Sequence, residues 1–205
     1  LRLQEIIRTI QHASKLTHQL LLFSRGTPFE LTNLDINKTI EGLLKMIMRI
    51  IGEDISITAE LSPGIWNILA DETSIEQVVM NLAVNARDAM SQGGRLLIKT
   101  ENVTLSEQEC VKMPDSRPGD AVCLTVEDNG AGMEKEVFER IFEPFFTTKE
   151  QGGTGFGLSV VYGIVKKHEG WINLRSASGT GTSLRIYLPA AKAGKKEAEK
   201  EAVSV

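Results

Sequence analysis

Three polar residues, Asn81, Asn85 and Asp88, recur four and then three positions apart within a largely apolar segment. At about 100° per residue in a helix they fall within roughly 60° of one another. They lie at the edge of an expected buried stripe of Ile75, Val78, Leu82, Ala86 and Ala89. Amides compete for backbone hydrogen bonds and make poor helix-interior residues. Two amides and a carboxylate on one edge could offer oxygen ligands to a hard cation such as Mg2+. A solvated polar face has the same spacing, which by itself leaves both readings open.

A second group, Glu127-Asp128-Asn129-Gly130-Ala131-Gly132-Met133, follows an apolar run with strand character. A carboxylate at a strand end can accept from an amino group, and the glycines let the backbone approach a ligand. An ordinary Asp-Asn-Gly turn reads the same way. The third group runs Gly152-Gly153-Thr154-Gly155-Phe156-Gly157-Leu158 into a helical pattern. Glycines free backbone amides to face an anion, and the helix N-terminus adds positive potential, so phosphate is the favoured ligand over a plain flexible linker. It is neither a Walker A loop nor a dinucleotide fingerprint, lacking the Lys-Ser/Thr pair and the preceding strand. Between these groups, Phe142, Phe145 and Phe146 stand beside Thr147, Thr148 and Lys149 in a chain only 5% aromatic. The rings can pin a mobile lid or form a satellite core, while the last three residues supply donors to phosphate oxygens.

Elements must hold these groups. Asp35 is a plausible N-cap for a helix to about Ile51, and alternation marks strands at 55–59 and 66–69, with Pro63-Gly64 turning between them. A helix over 72–90 stops at Gly93-Gly94. Strands are expected at 95–103 and 121–127, a long loop with short helical pieces over 128–156, and a helix over 157–167. A hairpin of 171–174 with 183–188 closes the unit. Strands and helices mix without strict alternation, which suits a helix layer on one face of a mixed sheet. Before all this, Leu3, Ile6, Ile10, Ala13, Thr17 and Leu20 form a coiled-coil-like seam, widened by Ile7, Leu16 and Leu21, that calls for a partner helix. Gly26 and Pro28 end it, so 1–25 reads as a helix, 26–34 as a linker, 35–189 as the main domain and 190–205 as a disordered tail.

At 205 residues, 41% hydrophobic and 24% charged, the chain has the composition of a globular protein with room for one domain and a small appendage. A net charge of −4 argues against a nucleic-acid partner. No apolar run nears the ~20 residues of a membrane span, and the amphipathic opening, which already carries Arg2, Glu5 and Arg8, is not expected to be a signal peptide. Cys110 and Cys123 have no disulfide-scaffold or metal-site spacing, so a reducing, cytoplasmic setting is expected. A start at Leu1 inside a helical pattern suggests a fragment of a longer chain.

In this order, Asn81 to Met90, Asp128 to Met133, Phe142 to Lys149 and Gly153 to Ser159 resemble the N, G1, F and G2 boxes of sensor histidine kinases. Gly179 to Pro189 resembles the hairpin that ends their catalytic ATP-binding domain, within the wider group of gyrase-, Hsp90- and MutL-type ATPases. The resemblance covers about residues 30–189 and implies an α/β (α+β) two-layer sandwich of the Bergerat type, preceded by one long helix. It implies ATP and Mg2+ as cofactors. Asp128 would bind the adenine amino group with Thr182 assisting through water, and Gly130, Gly132 and Met133 would shape that end. Asn85 would hold Mg2+, with Asn81 and Asp88 beside it. Thr147, Thr148 and Lys149, with the loop Gly153, Thr154, Gly155, Phe156, Gly157 and Leu158, would contact the phosphates. Residues 134–156 would form a lid, and Asn81, Asn85 and Lys149 would be the catalytic set.

Gyrase-like members carry a water-activating Glu where this chain has Asn81, and an amide is no useful proton acceptor. The resemblance therefore implies a protein-histidine kinase over a hydrolysing clamp or a nucleotide-silent docking module. The γ-phosphoryl would pass to a histidine and then to an aspartate of a response-regulator receiver domain, in a homodimer built through a helical hairpin. Residues 1–25 look like the second helix of that hairpin. His12 is followed by Ala13 and His18 by Gln19, neither acidic, and His168 ends a helix. The phosphoacceptor is thus expected upstream, and this fragment should not autophosphorylate.

Overall fold

The computed structural model describes residues 29–111, 113, 115–138, 140–148 and 154–191. The expected hairpin helix over 1–25, the tail beyond 191, and Lys149 and Gly153 lie outside the described residues.

The Asp35 side chain accepts from the Asn37 N–H at 3.0 Å and starts α1, Ile36–Ile51. Ile36, Ile40, Leu43, Ile47 and Ile51 recur at helical spacing and are all buried. Gly52, at φ 94°, ends the helix in a conformation that glycine adopts without strain. The second long helix, α2, spans Glu72–Ala89 and is capped by Asp71, whose carboxylate accepts from the Ser74 N–H at 2.8 Å. Its inner stripe matches expectation except at the end, where Met90 is buried and Ala89 only partly so. A later helix, Gly157–Lys167 (α5 in chain order), completes a layer in which α2 packs between α1 and α5.

That layer covers a five-stranded sheet of order β2-β4-β5-β7-β6. The strands are β2 (Ile55–Leu61), β4 (Gly94–Leu105), β5 (Gly119–Asp128), β6 (Trp171–Ala177) and β7 (Gly181–Pro189). β2 runs parallel to β4 and every other pairing is antiparallel, so the sheet is mixed as expected. The core lies between the layers, around Ile36, Ile40, Ile47, Ile75, Val78, Ile98, Leu124 and Ile186. On the far face Trp171 stacks on Tyr187 at 5.4 Å, beside Cys123, and the short α3 (Glu107–Cys110) follows β4. The remaining short helix, α4, is Lys135–Phe138. No helix among the described residues is long and apolar enough to cross a membrane.

The Pro63-Gly64 turn forms, yet the strands on either side do not pair with each other. β3 is only Ile68–Ala70 and pairs with β1, Thr32–Leu34, in a separate two-stranded sheet. Asn102 holds the turn from β4, accepting from the Trp66 N–H at 2.8 Å and donating to the Gly64 carbonyl at 3.0 Å. Residues 32–34, the end of the expected linker, are therefore strand. A three-residue strand carries too little periodicity to stand out against a linker.

His168 ties the two helices that frame the site. Its Nδ1–H donates to the Ile164 carbonyl at 2.8 Å, and its Nε2 accepts from the Asp71 N–H at 3.0 Å. Burial works against the Asp71 charge, but hydrogen bonds from Ser74 and Glu30 oppose it and hold the carboxyl below its usual range. A depressed folded pKa stabilises above the unfolded value and ceases to do so as pH falls through the folded one. Asp71→Ala is expected to cost about 1 kcal/mol at neutral pH. Urea titration should show that deficit shrinking in acid.

Candidate functional site

The front face of the sheet is organised in cross-strand rows. Ile98, Val126, Leu184 and Leu174 make one apolar row, and Thr100, Leu124, Ile186 and Ile172 the next. The row at the strand ends is different: Leu96, Asp128, Thr182 and Ser176. Over this edge α2 and residues from 131–148 and 154–158 that the structure describes leave a cavity of about 320 Å3. Its floor is Val126, Leu174 and Leu184, with Asp128 and Thr182 at one end. Asn81, Asn85 and Asp88 enter from α2, joined by Leu82 and Ala86 from the helix's inner stripe. Thr147, Thr148, Thr154, Gly155, Gly157 and Leu158 close the other side.

Asp128 is half-buried, and one carboxylate oxygen accepts from the Gly130 N–H at 2.9 Å. Burial pushes its carboxyl above the usual range, and Glu127 adds to this, although N–H groups of Gly130 and Thr182 oppose it. An ionised carboxylate offers about four lone-pair sites, so acceptor capacity is left for a donor in the cavity.

The glycines serve close packing. Gly132 has φ 65°, and a Cβ there would overlap the Ala177 carbonyl. A Cβ on Gly130 would lie 2.6 Å from the Ala89 carbonyl oxygen. Gly130 thus lets the 129–133 segment sit on the end of α2, where the Ala131 N–H donates to that carbonyl at 3.0 Å. Gly155, at φ 67°, passes against the Phe145 backbone and accepts from its N–H at 3.1 Å. At Gly157 a Cβ would meet the Asn85 amide nitrogen at 3.2 Å, so its absence lets α5 begin directly over Asn85.

Most residues expected at the site come together here, with qualifications. Gly130 and Phe156 do not line the cavity: Gly130 packs on α2, and the Phe156 ring packs edge-on against Phe145 at 4.4 Å. Asp88 does line it, but its Oδ1 is held by Arg87 at 2.6 Å and 3.1 Å, which ties that oxygen to its neighbour. The phenylalanines act as pins. Phe142 packs on Tyr162 at 5.2 Å, and the Arg140 guanidinium lies 4.5 Å from the Phe146 ring centroid.

Sequence reasoning missed the apolar lining of Val126, Ala131, Val137, Ile141, Phe146, Leu174 and Leu184. Leu174 and Leu184 were legible as strand residues, but only their cross-strand pairing puts them side by side under the cavity. It also missed Ser176, which accepts from the Met133 N–H at 2.9 Å.

A family profile described as "Histidine kinase-, DNA gyrase B-, and HSP90-like ATPase" matches residues 70–192. Sensor kinase CckA of Brucella abortus is 41% identical over 188 residues, which are 91% of this chain and 20% of that protein. Signal transduction histidine-protein kinase AtoS of Escherichia coli is 30% identical over 188 residues, or 91% of this chain and 28% of that protein. The chain thus spans well under half of either relative. Among solved structures, a nucleotide-free catalytic domain of histidine kinase ThkA superposes with TM-score 0.61 at 28% identity, covering 78% of this chain and 96% of that one. Full-length ShkA in complex with AMPPNP shares the fold, with TM-score 0.68 at 23% identity over 91% of this chain and 36% of that one.

Proposed function

Because the chain belongs to the histidine kinase-, DNA gyrase B- and HSP90-like ATPase family, we propose that it is the catalytic, ATP-binding portion of a two-component sensor histidine kinase. The observation that carries this reading is the polarity of the cavity. Acceptors stand at one end, an apolar floor spans the middle, and a glycine-flanked helix N-terminus meets Asn85 at the other. That order is the order of an adenine amino group, a purine ring and a phosphate chain.

In this reading Asp128 accepts from the adenine amino group, with Thr182 beside it, and Val126, Leu174 and Leu184 pack the ring. The backbone around Gly155 and Gly157, the α5 N-terminus, Thr147, Thr148 and Lys149 bind phosphate oxygens. Mg2+ would be held by Asn85 together with the phosphates, and when bound supplies neutralisation of their charge. The residue fits that role. Among the described residues the buried Asn85 Nδ2 has no hydrogen-bond partner, and a half-turn of the amide puts its oxygen in that position.

Asn81 carries no basic group with which to activate water, so bound ATP is kept for transfer. Catalysis then rests on positioning and charge neutralisation. The γ-phosphoryl goes to a histidine outside these 205 residues and onward to a receiver-domain aspartate, in a cytoplasmic homodimer assembled through the helical hairpin.

Calorimetry with ADP and Mg2+ should show one binding event per chain. Labelled ATP should leave no phosphate on His12 or His18, and turnover should stay at the uncatalysed background. Absence of nucleotide binding would sink the assignment. Steady hydrolysis would return the chain to the clamp-type ATPases.

A further inference from the structure

We infer that Ser176, a residue outside the cavity, sets the hydrogen-bonding polarity of Thr182 and thereby makes the base-binding end an acceptor-only site selective for 6-amino over 6-oxo purines. This rests on the assignment of the cavity to a purine nucleotide, and adds to it a positioning residue and a rule of specificity.

The inference is an accounting of protons. The Ser176 hydroxyl has three neighbours within hydrogen-bond distance: the Met133 N–H at 2.9 Å, the Gly181 carbonyl at 2.8 Å and the Thr182 hydroxyl at 3.1 Å. A serine hydroxyl has one proton to donate and two lone pairs. The Met133 N–H can only donate and the Gly181 carbonyl can only accept. Ser176 therefore spends its one proton on Gly181, and the contact with Thr182 is made only if Thr182 donates. The Thr182 proton then points along the sheet to Ser176. What its hydroxyl turns to the cavity is lone pairs.

Asp128 lies next to Thr182 in the same cross-strand row, and its ionised carboxylate is also acceptor-only. Two adjacent acceptors suit an exocyclic amino group, whether bound directly or through one water. They oppose a carbonyl oxygen at the same place, because a buried acceptor facing an acceptor leaves both unpaired. Were the Thr182 hydroxyl free to rotate, it could donate to that carbonyl and the selectivity would weaken. Ser176 also accepts from the N–H of Met133, which lines the cavity, so one hydroxyl orients both.

The test compares ADP and IDP, which differ in the base at the 6-amino/oxo position and its adjoining ring proton, by calorimetry on the whole chain with Mg2+. Wild type should prefer ADP by about a hundredfold. Ser176→Ala should reduce that preference about tenfold, mainly by improving IDP binding, and Ser176→Thr should restore it. Thr182→Val leaves Ser176 bonded to Met133 and Gly181, so it reads the same point without disturbing the hairpin. It should lower the preference through weaker ADP binding. Variants that lose affinity for both nucleotides in equal proportion, with the preference intact, overturn the inference by reducing Ser176 to a structural contact. A wild type that binds neither nucleotide overturns it together with the assignment beneath it.

Discussion

Asp128→Ala is expected to weaken ADP binding about ten- to a hundredfold, the loss of a hydrogen bond to a charged acceptor. The side chain stands at the strand end of β5, where burial already raises its pKa. That shift has a definite sign for the free protein. A raised carboxyl stabilises the fold only below its ordinary titration range, and this contribution is lost as pH rises through the folded value. At neutral pH the ionised group is thus a burden on the empty fold. Asp128→Asn should melt at the same temperature as wild type or above it, while still binding ADP more weakly, since one acceptor has become a donor. The same titration predicts that wild-type affinity falls in acid, starting at a pH above the usual carboxylate range. Calorimetry across that range, with melting curves for both variants, checks all of this. Unchanged ADP affinity in Asp128→Ala would mean that the base binds elsewhere.

Gly181→Ala should be strongly destabilising for a single added methyl, at about 2–4 kcal/mol. Gly181 opens β7 at φ 89°, where an L side chain is strained. Its missing Cβ is also occupied space: an added carbon would overlap the Asp128 carbonyl and lie 2.7 Å from the Asn129 Cα. Both obstacles are backbone, so no rotamer relieves them. The collision is with the segment that carries Asp128, the carboxylate proposed to bind the base, so ADP binding should fail along with stability. Gly163 in α5 is the control, because a Cβ there meets nothing within 4 Å. Gly163→Ala should stabilise by about 0.5–1 kcal/mol. Urea unfolding of the pair, with opposite signs expected, separates backbone strain from a general intolerance of mutation.

Much of the fold was legible because its signals are local. Asp35 caps its helix by bonding backbone two residues on. Gly93 ends the segment after α2 at positive φ. The spacing of Ile36, Ile40, Leu43 and Ile47 could be read as a buried face without knowing what buries it. The pairing of β3 with β1, across more than thirty residues of sequence, left no such trace. Nor did the exclusion of Phe156 from the cavity, which depends on where the Phe145 ring comes to rest.

The same division runs through the site. Asn81, Asn85 and Asp88 share a helix edge by spacing alone, and the residue types of 128–133 and 152–158 read as a carboxylate turn and a loop suited to an anion. The sequence by itself therefore determined which chemical groups are present and which lie on a common element, since both follow from interactions over a few residues. Only the tertiary structure decided which of those groups face one another. It packed Gly130 against the end of α2 and set Ser176 and Thr182 in one row with Asp128. The reason is register. A side chain's face in a strand changes with every residue, and Thr182, which pairs with Asp128, comes from a strand about fifty positions further along the chain.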